Sequence, residues 1–229
     1  MVKTRGLKEA KKKLGDIERV ISKEIKKKGK IKIFESGCGY GKVMVELKKK
    51  FGDKIDITGM NLLPLHGDKK KIISFAIEEK IISKNEVNEI KSIKLIFGDA
   101  GERLPFKTNS IDFIYSQTSS YLYKDKLHFF EEVARVLKKN AIARITLPES
   151  SAVPEEFQPL LKIFKNGKQI NFQKFIKNFK NINLVKTPKG KAIEIKGGKL
   201  DFGVKLEASI NLNNLDRKLF GVQSVYVVK

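Results

Sequence analysis

The sequence predicts an α/β domain built on a mostly parallel sheet with helices on both faces. Three observations lead there. A short apolar run from Ile31 to Phe34 enters Glu35-Ser36-Gly37-Cys38-Gly39-Tyr40-Gly41, and a segment with helical apolar spacing (Val43, Val45, Leu47, Phe51) follows. Strand-like and helix-like segments then alternate as far as Leu147. The chain has 229 residues and 41% hydrophobic content, enough for one substantial core.

The first strand and its glycine turn carry the most information. Glycine admits positive φ and lets a ligand approach the backbone without meeting a Cβ. A strand, glycine turn and helix in this order form the unit on which open α/β sheets bind nucleotide-like cofactors. A phosphate-binding P-loop would need glycine where Ser36 stands and a hydroxyl where Val43 stands. The dinucleotide fingerprint would put Lys42 at its third glycine, where helix and strand pack closely. The pattern Glu-x-Gly-x-Gly-x-Gly fits fully, at Glu35, Gly37, Gly39 and Gly41.

The later elements follow in order. A second strand, Ile55 to Met60, ends in Gly59-Met60-Asn61-Leu62. A third, Ile93 to Phe97, leads into Gly98-Asp99-Ala100 and then Glu102-Arg103-Leu104-Pro105-Phe106. A fourth, Ile111 to Tyr115, ends at Ser116-Gln117, and the helical segment Phe129 to Lys139 leads into a fifth, Ala141 to Leu147. Ahead of the core, Leu7, Ala10, Leu14, Ile17, Ile21 and Ile25 recur at three- and four-residue steps, which predicts one amphipathic helix with a lysine-rich outer face. Beyond the core, Pro154 to Phe164 and Phe172 to Phe179 read as helices. Ala192 to Ile195, Gly203 to Leu206 and Val222 to Val228 read as strands, with Gly197-Gly198 as a hairpin turn. The expected organisation is a basic N-terminal helix over residues 1–30 packed on a single domain over 31–229, within which 151–221 are additions.

Taken together, residues 31–147 resemble the class I S-adenosylmethionine (SAM)-dependent methyltransferases, in the broad group with an Asp-Ala…Leu-Pro-Phe turn. The resemblance implies a Rossmann-like seven-stranded sheet, closed by the strand Val222 to Val228, and SAM as cofactor. Gly37, Gly39 and Gly41 would contact the methionine part, with Glu35 near its amino group. Asp99 would accept from the adenine amine, with Ala100 beside it. Ser116 and Gln117 would face the methionine end and the acceptor. The family usually places an acid at the end of the second strand to take both ribose hydroxyls, and here that position is Asn61, which offers one acceptor and a donor. The additions over 151–221 would lie on the acceptor side.

The candidates for chemistry are few. His66 and His128 are the only imidazoles. His66, Gln117 and Tyr121 are the candidate catalytic side chains, and Tyr40, Tyr121 and Tyr123 candidate pocket walls. The Asn/Asp-Pro-Pro-aromatic motif of base-amine methyltransferases is replaced by Ser116-Gln117-Thr118-Ser119, which disfavours exocyclic base amines. The single cysteine, Cys38, lies within the glycine turn; it excludes a disulfide framework or cysteine-based zinc cluster and points to a reducing cytoplasm. No metal site is expected, and no ~20-residue apolar run implies a membrane span.

Charge bears on partners. The formal net charge is +22. Residues 1–30 carry 12 basic and 4 acidic side chains, and residues 154–229 carry 15 and 6, so the excess concentrates at the two flanks. Clustered lysines attract phosphates, and RNA is the favoured acceptor on that ground. Against it, A/T-rich codon bias or a high growth temperature would also enrich lysine. A small-molecule acceptor is the competing expectation, and a non-catalytic protein that retains the fold is the third.

Overall fold

The computed structural model describes residues 5–146, 161–214 and 219–229. In chain order these form α1 (Leu7–Leu14), α2 (Ile17–Lys28), β1 (Ile31–Ser36), α3 (Lys42–Phe51), β2 (Ile55–Asn61), α4 (Lys69–Glu78), α5 (Val87–Ile90), β3 (Lys94–Phe97), β4 (Ile111–Ser116), α6 (Lys126–Val136) and β5 (Leu137–Thr146). There follow β6 (Leu161–Lys165), β7 (Lys168–Ile170), α7 (Phe172–Ile176), β8 (Ile182–Thr187), β9 (Gly190–Lys196), β10 (Val204–Asn214) and β11 (Leu219–Val228).

Seven strands form the main sheet in the order β3-β2-β1-β4-β5-β9-β8, with β1 to β5 parallel and β9 antiparallel to both its neighbours. The order reverses between β1 and β4, which opens a crevice at their carboxyl ends. Alternation along the strands supplies both faces. Ile31 and Ile33 of β1, with Phe113 and Tyr115 of β4, join a core with α1, α2, α3 and α4. Phe34 and Ile114 face the opposite core, which contains Phe129, Phe130 and Val133 of α6 and Phe172, Phe175 and Ile176 of α7. Helices therefore cover both faces, as the sequence predicts.

Several boundaries differ from expectation. The N-terminal amphipathic stretch is two helices, because Gly15 takes φ +80° and Asp16 caps α2 by accepting from the Arg19 N–H at 3.1 Å. Leu14 and Ile17 stay buried across the break, so the apolar periodicity survives it. Residues 154–160 of the expected helix Pro154 to Phe164 lie outside the described residues, and Leu161–Lys165 is a strand. Gly197-Gly198 is no hairpin turn: the Gly197 N–H donates to Ala141 O and the Gly198 N–H to Ala134 O, which fixes the end of β9 against the junction of α6 and β5.

The largest correction concerns the strand Val222 to Val228, which does not close the main sheet. Strands β8 and β9 do so, and β11 is central in a second, four-stranded sheet of order β10-β11-β6-β7. Its polar inner residues seat that sheet on the start of α6. The Tyr226 hydroxyl donates to Asp125 Oδ1 at 2.9 Å, and Ser224 Oγ donates to Lys124 O at 2.8 Å. Lys126, with 0% exposure, donates to the carbonyls of Tyr123 and Val222 and to Ser224 Oγ. All three acceptors are neutral, and burial lowers the Lys126 ammonium from the usual 10.5 to about 7.

Candidate functional site

The glycine turn after β1 sits in the crevice, and its three glycines serve different ends. Gly37, Gly39 and Gly41 all have positive φ, at +72°, +53° and +66°. A Cβ at Gly37 would lie 2.2 Å from Ser119 Cβ, and one at Gly41 would press on Ile72 and Met44 at 3.0 Å. At Gly39 nothing among the described residues lies within 4 Å, so this glycine faces open space. The turn is pinned from below by the N–H groups of Gly37 and Cys38, which both donate to Met60 O.

Asn61, at the end of β2, braces the same turn. Its Oδ1 accepts from the Gly39 N–H at 2.8 Å, and its Nδ2 donates to the carbonyls of Gly39 and Gly67, each at 3.0 Å. Both amide hydrogens are thereby engaged, and the side chain is buried. Gly67 is the counterpart that sequence reasoning missed. It has φ +144°, and a Cβ there would lie 2.1 Å from Gly39 O, so only glycine lets the segment after β2 fold back onto the turn.

Beneath the turn lies a buried hydroxyl cluster. Ser36 Oγ and the Tyr123 hydroxyl are 2.6 Å apart, Ser119 Oγ is 2.9 Å from Tyr123, and Ser116 Oγ is 2.7 Å from Ser119. Ser119 Oγ also lies 2.9 Å from the Ser36 carbonyl, to which it donates. Tyr123 is thus part of the floor of the site. Glu35 lies opposite Tyr115 in the β1–β4 register and accepts from its hydroxyl at 2.9 Å. Burial raises the Glu35 carboxyl from the usual 4.5 to about 8, with the Tyr115 hydrogen bond opposing and Glu46 adding to the rise. Cys38 is buried and its thiol is pushed well up by burial and then by Glu35, which fits a packing role.

On the far side of the crevice, Asp99 follows β3. Its Oδ1 accepts from the Gly101 N–H at 2.7 Å, which fixes the carboxylate, and Ala100 is buried next to it. At the end of β4, Gln117 is half-buried, and its Nε2 is enclosed with no hydrogen-bond partner. Tyr121 is half-buried, and burial raises its hydroxyl. His66 is exposed on the turn after β2, and His128 lies on α6 beside Glu131, 3.6 Å away. Tyr40 packs against Phe75 with ring centroids 5.5 Å apart. Phe172 and Phe175 of α7 belong to the core, and the helix offers one exposed lysine, Lys174. Among the described residues no cluster of three or more metal-ligating side chains occurs, and no helix is long and apolar enough to cross a membrane.

A search of curated proteins returns no match to the sequence. Among solved structures, a Galdieria sulphuraria protein provisionally assigned as a sarcosine dimethylglycine methyltransferase is 28% identical, over 56% of this chain and 44% of its own, with a TM-score of 0.41. A provisionally assigned SAM-dependent methyltransferase from Methanococcus maripaludis is 18% identical, over 85% and 91%, with a TM-score of 0.49. A SAM-dependent methyltransferase from Aquifex aeolicus is 18% identical, over 81% and 90%, with a TM-score of 0.48. The chain spans about half the length of several structures that it matches. Residues 34–145 match the methyltransferase-domain family, a stretch that contains the glycine turn, Asp99 and the reversal of strand order. On that match and that topology, residues 34–145 form a methyltransferase domain.

Proposed function

We propose that the protein transfers a methyl group from SAM to a small acceptor that enters over the carboxyl end of β4. The observation that carries this is the open space in front of Gly39, on a turn braced from behind by Asn61 and from below by Met60 O. The residues present fit the cofactor. Gly39 gives backbone access, Asp99 offers a fixed acceptor for an amine, and Glu35 offers a carboxyl that would ionise against an ammonium. Asn61 is the exception, because its amide is engaged with the turn, so its contribution is to hold Gly39 in place.

SAM would supply a methyl already activated on a sulfonium, which an acceptor lone pair can take at carbon as the bond to sulfur breaks and the neutral thioether leaves. What remains for this chain is to hold both groups at attack distance and to exclude water. The hydroxyl cluster of Ser36, Ser116, Ser119 and Tyr123 fixes the floor, and Gln117 and Tyr121 stand at the acceptor end. Neither His66 nor His128 is placed with them, so no imidazole base is assigned. The small-acceptor reading is supported by α1, whose Lys13 Nζ reaches this end, 3.2 Å from Thr118 Oγ1.

RNA is the second reading. It is favoured by a groove between β7 and α7 lined by Lys165, Lys174, Asn171 and Gln169, on a flank rich in exposed lysine. The deciding experiment incubates the protein and methyl-labelled SAM with a cell extract split into small-metabolite and RNA fractions. Label in the small fraction is the expected result, and label in the RNA fraction alone would favour the second reading. Label in neither, with SAM bound, would sink the enzymatic reading.

A further inference from the structure

The acceptor end of the site has an unbalanced charge. Lys13 is half-buried, and its hydrogen-bond partner is a neutral hydroxyl, Thr118 Oγ1 at 3.2 Å. Arg5, just ahead of α1, lies close enough to act electrostatically on both Lys13 and Tyr121. Among the described residues neither Arg5 nor Lys13 has a carboxylate within ion-pair distance. Glu9, the acid facing Lys13 on the same helix, pairs with Lys189 at 2.7 Å, and Lys189 adds to the positive charge. Burial first and Arg5 second lower the Lys13 ammonium, with Glu9 opposing them and Lys189 adding to the fall. Lys11 differs: its ion pairs are with Asp16 and Glu18.

The backbone beneath is strained in the same place. Thr118 is β-branched yet has φ +58°, a conformation held by its N–H to Thr146 Oγ1 at 2.9 Å. Next to it, Gln117 Nε2 is buried and unpartnered. A buried amide without an acceptor, one residue from the hydroxyl that Lys13 holds, and two half-enclosed cations with no ion pair among the described residues make a set of donors suited to an anion.

We propose that Arg5, Lys13 and Gln117 bind an anionic group of the acceptor, a carboxylate or a phosphate, and so hold the acceptor at the end of β4. The inference rests on the methyltransferase reading and adds the chemical class of acceptor to it. It also gives α1 a function: Lys13 on the helix, with Arg5 just ahead of it, selects the acceptor.

Calorimetry at constant ionic strength tests it, with the full chain saturated by the demethylated cofactor product and titrated separately with acetate and inorganic phosphate. The expected result is one saturable site for at least one probe, weakened tenfold or more in Lys13→Met and in Arg5→Met and unchanged in Lys70→Met, an exposed lysine on α4. The probe that binds more tightly identifies the group. Arg5 precedes α1, so its replacement leaves the buried Ala10 and Leu14 untouched if Lys13→Met fails to fold. Binding of the demethylated product with no saturable binding of either probe overturns the anion site alone. An equal loss in Lys70→Met overturns it too, and failure of the demethylated product to bind overturns the methyltransferase reading beneath it.

Discussion

The carboxamide of Asn61 grips both backbone polar groups of Gly39, accepting from its N–H at 2.8 Å and donating to its carbonyl at 3.0 Å. The residue that departs from the family's usual acid is therefore the brace of the glycine turn. Asn61→Asp replaces a donor with a carboxylate facing the carbonyls of Gly39 and Gly67, and Asn61→Ala leaves those groups unpaired. Each should destabilise the protein by about 2 to 4 kcal/mol and weaken SAM binding. Chemical denaturation and calorimetry check both; an Asp variant that binds SAM more tightly at undiminished stability would restore a direct ribose contact.

Glu35 predicts a pH dependence. Its carboxyl is raised from 4.5 to about 8 in the folded chain, so the native state holds a proton that the unfolded state releases. The contribution is fully present below about pH 4.5 and is lost as pH rises towards 8. Thermal melts of Glu35→Gln should lack that decline. A bound ammonium would favour the carboxylate, so cofactor affinity should rise with pH up to about 8 in wild type and stay flatter in the variant.

Lys126 predicts the opposite slope in another window. Its ammonium is lowered from 10.5 to about 7, so between those values the unfolded chain binds the extra proton and stability rises with pH. Lys126→Met should abolish the rise between about pH 8 and 10. It should also loosen the second sheet, whose Val222 carbonyl and Ser224 hydroxyl lose their donor. Hydrogen exchange in β11 reports that loosening, and unchanged protection there would contradict the docking role.

For the small-acceptor reading, Lys174→Glu with Lys177→Glu should leave methyl transfer unchanged. If RNA is the acceptor instead, the pair should flatten the salt dependence of RNA retention, by about one in log–log slope for each phosphate no longer engaged, and reduce transfer. Filter binding and turnover on the same variants separate the two.

What could be read from the sequence depends on how local each signal is. Strands β1 to β5 and the glycine turn were readable because each is a buried run ending in residues with special backbone demands, as at Gly37, Gly39 and Gly41. The fate of Val222 to Val228 was not, because an alternating apolar strand suits either sheet equally, and the choice is made by Lys126 and Tyr226 meeting Ser224 and Asp125 across about a hundred residues. The break at Gly15 was hidden by apolar spacing that continues through it. In the site, Gly39 and Asp99 could be named from their motifs. Lys13, Thr118 and Gly67 could not, because what marks them is a tertiary neighbour or a φ value that no local pattern encodes.

On the proposed function, SAM approaches the backbone through the space before Gly39. Calorimetric titration of wild type and Gly39→Val with SAM is the decisive test. A Cβ at this position meets no atom of the described residues within 4 Å, so the variant should fold, with a backbone penalty of about 1 to 2 kcal/mol from its positive φ. One saturable SAM site is expected in wild type, and no measurable binding in the folded variant. Equal SAM affinity in the two proteins, or a wild type that takes up NAD and ignores SAM, would contradict that reading.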